Sequence, residues 1–215
     1  MAALFGVFCG FILIIVLFTL RLFFVVRKGS GYRPGKKGSV SVLVVAGSGG
    51  HTTEILRLMG SLSESYCPRH YVIADTDKMS EDKIRTLEAS KKQQDQGNFT
   101  IHRVPRSREV RQSWSSSVFT TMNALLYSVP LLFNLQPDVL LCNGPGTCVP
   151  LCLAGLLLGI LGAKKILIVY VESICRVERL SLSGKILYHL SDYFFVQWPS
   201  LKDKYPKSIY LGRVV

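Results

Sequence analysis

The chain opens on an apolar stretch. Residues 4–20 carry no charge, and after Arg21 the run resumes as Leu22-Phe23-Phe24-Val25-Val26. Wound as a helix, residues 4–26 rise about 34 Å, slightly more than the ~30 Å hydrocarbon core of a bilayer. Arg21 falls near one end, where its guanidinium reaches the interface while its stem stays in lipid. Nothing basic precedes the run and no A-x-A pattern follows it, so the segment reads as an uncleaved anchor rather than a signal peptide.

Beyond residue 38 short apolar β-branched runs alternate with longer segments of helical period. Strands are predicted at 40–46, 70–74, 99–104, 139–142, 166–171 and 193–196. Helices are predicted at 52–62, 80–90, 113–135, 148–161 and 183–190, with Pro130 expected to break the longest. Strands apolar on both faces, each followed by a helix, are the mark of a parallel sheet covered on both sides. The fold class is therefore α/β: a transmembrane helix (1–27), a linker (28–38) and one Rossmann-like domain (39–215). Residues 149–163 are uncharged but short for a span, and read as a buried or partly membrane-facing helix of that domain.

Charge sharpens this picture. The 26 Lys and Arg against 14 Asp and Glu give +12. Six of the basic residues (Arg21, Arg27, Lys28, Arg33, Lys36, Lys37) flank the anchor ahead of the first acid, Glu54. The positive-inside bias then puts the N-terminus outside or in a lumen and the body in the cytosol. The remaining charge forms no dense basic stripe, which argues against nucleic-acid binding. In the cytosol Cys67, Cys142, Cys148, Cys152 and Cys175 are expected as reduced, small core residues, and the sequon at Asn98 as unmodified. No CxxC pair suggests a metal, and none is expected.

Two glycine-rich turns carry the candidate chemistry. Gly47-Ser48-Gly49-Gly50-His51 follows the first strand and opens a helix; Asn143-Gly144-Pro145-Gly146-Thr147 does the same after the fourth. Backbone N–H groups at a helix start suit phosphate. Thr52 stands where the dinucleotide fingerprint wants its third glycine, and there is no GK[ST], so neither NAD nor ATP is expected and no cofactor is implied. In doubly wound sheets the first and fourth strands flank the switch point, so Gly47, Ser48, Gly49, Gly50, Asn143, Gly144, Gly146 and Thr147 are expected to hold a diphosphate. His51 and Glu172, both on the carboxyl edge, are the candidate catalytic groups; for each a structural role is the plain alternative, Glu172 pairing with Arg176. Arg106 and Arg108, in the run that reaches Arg111, are candidates for acceptor or partner contact.

The segments VVAGSGGHTTEILRL, VIADTD, RSREV, LCNGPGTCVP, VYVESICRVE and SDYFFVQWP, in this order behind one anchor, resemble the membrane-anchor subunits of the two-part UDP-N-acetylglucosamine transferase of asparagine-linked glycosylation. More distantly the chain is similar to the acceptor half of the bacterial lipid II GlcNAc transferase. The resemblance implies the acceptor half of a GT-B enzyme at the endoplasmic reticulum membrane. It implies as partners a soluble catalytic subunit carrying the UDP-GlcNAc site and dolichyl-diphosphate-GlcNAc as acceptor. It also implies a partner-binding tail at Leu211, Gly212, Arg213, Val214 and Val215, and no activity for this chain alone. After Glu172 the bacterial pattern has Gln-Asn where this chain has Ser173-Ile174. A non-catalytic membrane scaffold is the alternative. Independently, a GT-B enzyme needs two Rossmann-like halves, and residues 38–215 supply one.

Overall fold

The computed structural model describes residues 2–27, 38–91, 98–109 and 112–215. All but Gly38 of the expected linker, as well as Val110 and Arg111, lie outside the described residues. Helix α1 spans Ala2–Arg27; its segment Phe5–Val25 is long and apolar enough to cross a membrane by length and composition. Its side chains Phe5 to Leu20 are exposed.

Seven parallel strands follow: β1 (Val42–Val45), β2 (Arg69–Ala74), β3 (Phe99–Val104), β4 (Val139–Asn143), β5 (Leu167–Val171), β6 (Tyr193–Val196) and β7 (Ile209–Tyr210). Their order, β3-β2-β1-β4-β5-β6-β7, is the doubly wound arrangement with its switch point between β1 and β4. Val42 and Val45 of β1 pair with Val139 and Cys142 of β4, so the turns after both strands emerge side by side.

One face of the sheet, with Leu43, Val45, Leu140, Ile168 and Tyr170, packs under α4 (Trp114–Leu135), α5 (Cys148–Leu161) and α6 (Leu182–Leu187). The other, with Val44, Tyr71, Ile73 and Leu141, packs under α2 (Gly50–Ser61) and α3 (Lys78–Lys91). α3 is polar, yet Ile84 and Glu88 point inward. The Arg69 guanidinium donates to both Glu88 oxygens (2.8 and 2.6 Å) and the Tyr71 hydroxyl to one (2.6 Å). Burial opposes ionisation of Glu88, but those donors and the charge of Arg69 hold its carboxyl below the usual carboxylate range.

α5 is apolar all round because most of it is enclosed: ten of its residues, Cys148 through Gly159, are buried. Gly159 accepts Val25 of α1, and Gly162, the left-handed cap of α5 (φ 78°), lies beside the Arg21 guanidinium. α1 therefore meets the domain at the C-terminal end of α5. Pro130 does not break α4; it sits on the outward face, and the Leu126 carbonyl four residues earlier loses its N–H partner on that same exposed face. α4 is also long and apolar enough to span (Ser115–Leu135). Yet it packs on α5 as the crossover between two parallel strands, so a crossing would carry the sheet into the bilayer. The short α7 (Pro199–Lys204) and β7 were not predicted. Of the five body cysteines only Cys142, Cys148 and Cys152 are buried; Cys67 is half-buried and Cys175 exposed, which corrects their reading as core residues.

Candidate functional site

The two glycine turns meet at the β1/β4 switch point. A Cβ on Gly47 would stand 2.8 Å from Pro145 Cβ and Cγ, and one on Gly144 would stand 2.4 Å from His51 Cε1 and 2.6 Å from Nδ1. Each turn thus needs a glycine because the other turn occupies that space, and Gly144 (φ 69°) needs it for its backbone as well. The first turn is braced from below: the Thr52 hydroxyl donates to the Gly47 carbonyl, and Ser80 Oγ, 3.0 Å from the same carbonyl, donates to Asp77 (2.6 Å), which also accepts the Ser80 N–H at the start of α3.

The cradle is asymmetric. Ser48, Gly49 and Gly50 are exposed, and α2 is preceded by Gly49 (φ 65°), with no side chain among the described residues capping its first N–H groups. In the second turn Asn143, Gly144 and Thr147 are buried and Gly146 is exposed. There the Cys148 and Val149 N–H groups already donate to Pro145 and Gly146 carbonyls (3.1 Å each). Of the two helix starts expected to suit phosphate, the first is open, whereas the second presents mainly Gly146.

His51 stands between the turns, its side chain 36 % exposed. Nδ1 lies 3.3 Å from Asn143 Oδ1 and 3.8 Å from Glu54 Oε2. Glu54 is buried; its Oε1 accepts from Ser173 Oγ (2.9 Å), while Oε2 has no hydrogen-bond partner among the described residues and faces the imidazole. Glu54 and Ser173 were missed by sequence reasoning, though His-x-x-Glu on one helix puts both side chains on one face and was the legible signal. Asn143, fully buried, donates to the Val171 carbonyl (3.3 Å) and so ties the second turn to β5.

Glu172 has no exposed surface. Oε2 accepts from Ser181 N–H and Oγ (3.0 Å each), Oε1 from Ser173 N–H (3.1 Å), and the Tyr170 hydroxyl is 3.5 Å away. Burial raises its carboxyl above the usual range against the pull of these donors. Its partners are serines and backbone, not Arg176, which is exposed and makes no salt bridge to it among the described residues. The carboxylate folds residues 172–184 back onto β5 and reaches no solvent, so it does not offer the accessible base the sequence suggested.

Arg108 lies beside the second turn, its Cβ 3.9 Å from where a Cβ on Gly146 would be; Arg106 is half-buried nearby in sequence. The tail crosses the same edge. Val214 N–H donates to Gln197 Oε1 (2.9 Å), Gln197 Nε2 donates to the Glu172 carbonyl (3.3 Å), and Arg213 stacks on Trp198 at 4.3 Å. Leu211 is 69 % exposed, while Val215 packs against the core. Gln197, fully buried, was also missed.

Residues 42–214 match the family model described as oligosaccharide biosynthesis protein Alg14 like. The chain belongs to the Alg14 family. It is 67 % identical over 181 residues to the human UDP-N-acetylglucosamine transferase subunit ALG14, covering 82 % of this chain and 84 % of that one. The Rattus norvegicus subunit of the same name is 62 % identical over 204 residues, 93 % of each chain. The Yarrowia lipolytica subunit is 44 % identical over 207 residues, 94 % of this chain and 95 % of its own. Among solved structures, Acinetobacter baumannii MurG superposes with a TM-score of 0.55 at 19 % identity over 75 % of this chain, and a UDP-N-acetylglucosamine 2-epimerase with 0.56 at 17 % over 79 %. This Alg14-family chain spans 42 % and 45 % of those two, and the likeness establishes the fold: one Rossmann-like half of a GT-B-like architecture.

Proposed function

We propose that this chain is the acceptor-binding, membrane-anchoring subunit of a UDP-GlcNAc transferase that adds the second GlcNAc to dolichyl-diphosphate-GlcNAc. The observation that carries the reading is the convergence of an uncapped helix start and a second glycine turn on one half-buried histidine, in a family whose members are named transferase subunits. Ser48, Gly49, Gly50 and Gly146 receive the diphosphate, aided by Arg108. His51 takes the proton from the acceptor sugar's hydroxyl as that oxygen attacks the anomeric carbon and UDP leaves with the bonding pair. Glu54 and Asn143 orient the imidazole. Glu172 holds the loop beneath, a positioning role.

The donor half comes from a soluble partner docked on residues 211–215, at the cytosolic face of the endoplasmic reticulum with the N-terminus of α1 in the lumen. Confinement of enzyme and lipid to one plane raises their effective concentration. The test is GlcNAc transfer to dolichyl-diphosphate-GlcNAc by the full chain alone and with its soluble partner. Turnover is expected from the pair and not from either alone. Turnover by this chain alone, or none by the pair, overturns the reading. An acceptor KM unmoved by Gly146→Val in an active complex would leave a pure scaffold.

A further inference from the structure

The second turn borders an apolar groove. Val118 and Met122 of α4, Val149 and Leu153 of α5, and Leu182 and Ile186 of α6 line a cavity of about 300 Å³, at the small end of ligand-sized sites. It reaches Gly146 and Arg108 at one end, and no acidic residue lines it. Away from that end it opens onto exposed apolar side chains of α4: Val118 (63 %), Met122 (54 %) and Leu126 (66 %). A monomeric surface rarely leaves such side chains contiguous without a use for them.

We infer that this groove is the subsite for the lipid chain of the acceptor, holding the isoprene units nearest the diphosphate. This rests on the function proposed above and names what it leaves open: where the lipid goes once its head is bound. One end offers a cation and a glycine turn; the rest is mainly hydrocarbon, with the hydroxyls of Ser107, Ser117, Thr121 and Ser183 among it. That polarity matches an amphiphile with an anionic head and a single apolar tail, and the head end is continuous with the diphosphate cradle. The lining hydroxyls of Ser117, Thr121 and Ser183 already donate to the Ser113, Ser107 and Pro145 carbonyls, which leaves few donors for a peptide helix. The arrangement fixes the register of the substrate. With the first isoprenes seated between α4 and α6, the diphosphate is held at Gly146 and the sugar projects toward His51. The rest of the chain returns to the bilayer over the exposed face of α4.

The experiment uses the full chain with its soluble partner in detergent. A geranyl diphosphate bearing a terminal diazirine is photolysed on the complex, and the adducts are mapped by mass spectrometry. Adducts within 118–125 or 182–186 are expected; adducts confined elsewhere overturn the inference. In parallel, GlcNAc-diphosphate acceptors carrying a methyl group or two isoprenes are compared. The prenyl acceptor should have a KM at least tenfold lower. Met122→Asp and Ile186→Asp, on opposite walls and both partly exposed, should raise its KM at least tenfold and that of the methyl acceptor less than twofold. Equal effects on both acceptors, or variants that weaken only binding to phospholipid vesicles, overturn the inference and mark the groove as a bilayer contact. Labelling in the groove of a complex that transfers to neither acceptor sinks the transferase reading and leaves the lipid subsite standing.

Discussion

Gly144→Ala tests the central geometry of the site. Its φ of 69° costs an alanine about 1–2 kcal/mol wherever it occurs. Here the new Cβ also lands 2.4 Å from His51 Cε1 and 2.6 Å from Nδ1, far inside van der Waals contact. Backbone on the other side is fixed by the Asn143 bond to Val171, so the imidazole must turn away and lose its approach to Asn143 and Glu54. Gly162→Ala is the matched control. Its φ is 78°, its Cβ would stand 3.4 Å from a flexible arginine tip, and it lies at the far end of α5. Both variants should lower thermal stability by about 1–2 kcal/mol. Only Gly144→Ala should lower kcat for GlcNAc transfer, by about a hundredfold, the lower end of what a positioned general base contributes. In a His51→Ala background the same change should do almost nothing further to kcat, since both remove one interaction. If Gly144→Ala and Gly162→Ala gave equal kcat at equal stability, or if the double variant were additive, His51 would not be working from this position.

Glu54→Gln keeps an acceptor for Ser173 but removes the charge facing His51; kcat should fall about tenfold, ~1.4 kcal/mol in the barrier, with a melting temperature within a few degrees of the parent. Removing residues 211–215, or Leu211→Asp alone, should abolish co-purification with the soluble partner while a melt of the body stays cooperative; retained assembly would move the docking surface elsewhere. Glu88 gives a pH prediction. Its carboxyl is held below the usual range, so the folded chain binds fewer protons there than the unfolded chain. The stability it contributes is complete above the ordinary carboxylate range and is lost as pH falls through the depressed value. Glu88→Gln should therefore flatten the acid limb of a stability-versus-pH curve, and an unchanged limb would refute the buried Arg69–Glu88 pair as its source.

The central strands β1, β4 and β5 were legible because they are apolar on both faces, a pattern a buried parallel sheet imposes; the edge-side β3, with Thr100, His102 and Arg103 among its residues, and β6 nonetheless begin and end where the sequence places them. Pro130 misled because propensity speaks of an isolated helix, whereas α4 is held against α5 and turns its broken carbonyl outward. β7 and α7 carry too few apolar positions to show a period. In the site, both turns and His51 were visible as motifs. Their contact was not, since the fit of Gly47 against Pro145 and of Gly144 against His51 is a relation between segments almost a hundred residues apart. Glu172 shows the same limit in reverse. Its place at the end of β5 was readable, but not that Ser181 and Ser173 would saturate it, because those donors arrive with a loop whose return path only the fold decides.

Those same loops join the candidate site to the tail. The serines around Glu172 hold residues 172–184 against β5. Gln197 then reads both sides of that arrangement, donating to the Glu172 carbonyl and accepting from Val214 in the tail. Asn143 bridges from the adjacent Val171 to the turn that borders His51. The tail, the Glu172 loop and the second glycine turn are thus joined by buried amides whose polar groups are costly to leave unpaired. A partner that grips Leu211 to Val215 therefore pulls on the same hydrogen bonds that set the position of Asn143 and, through it, of the histidine. On the function proposed above, docking at the edge of the sheet and orientation of the proposed base are two ends of one short network rather than separate events.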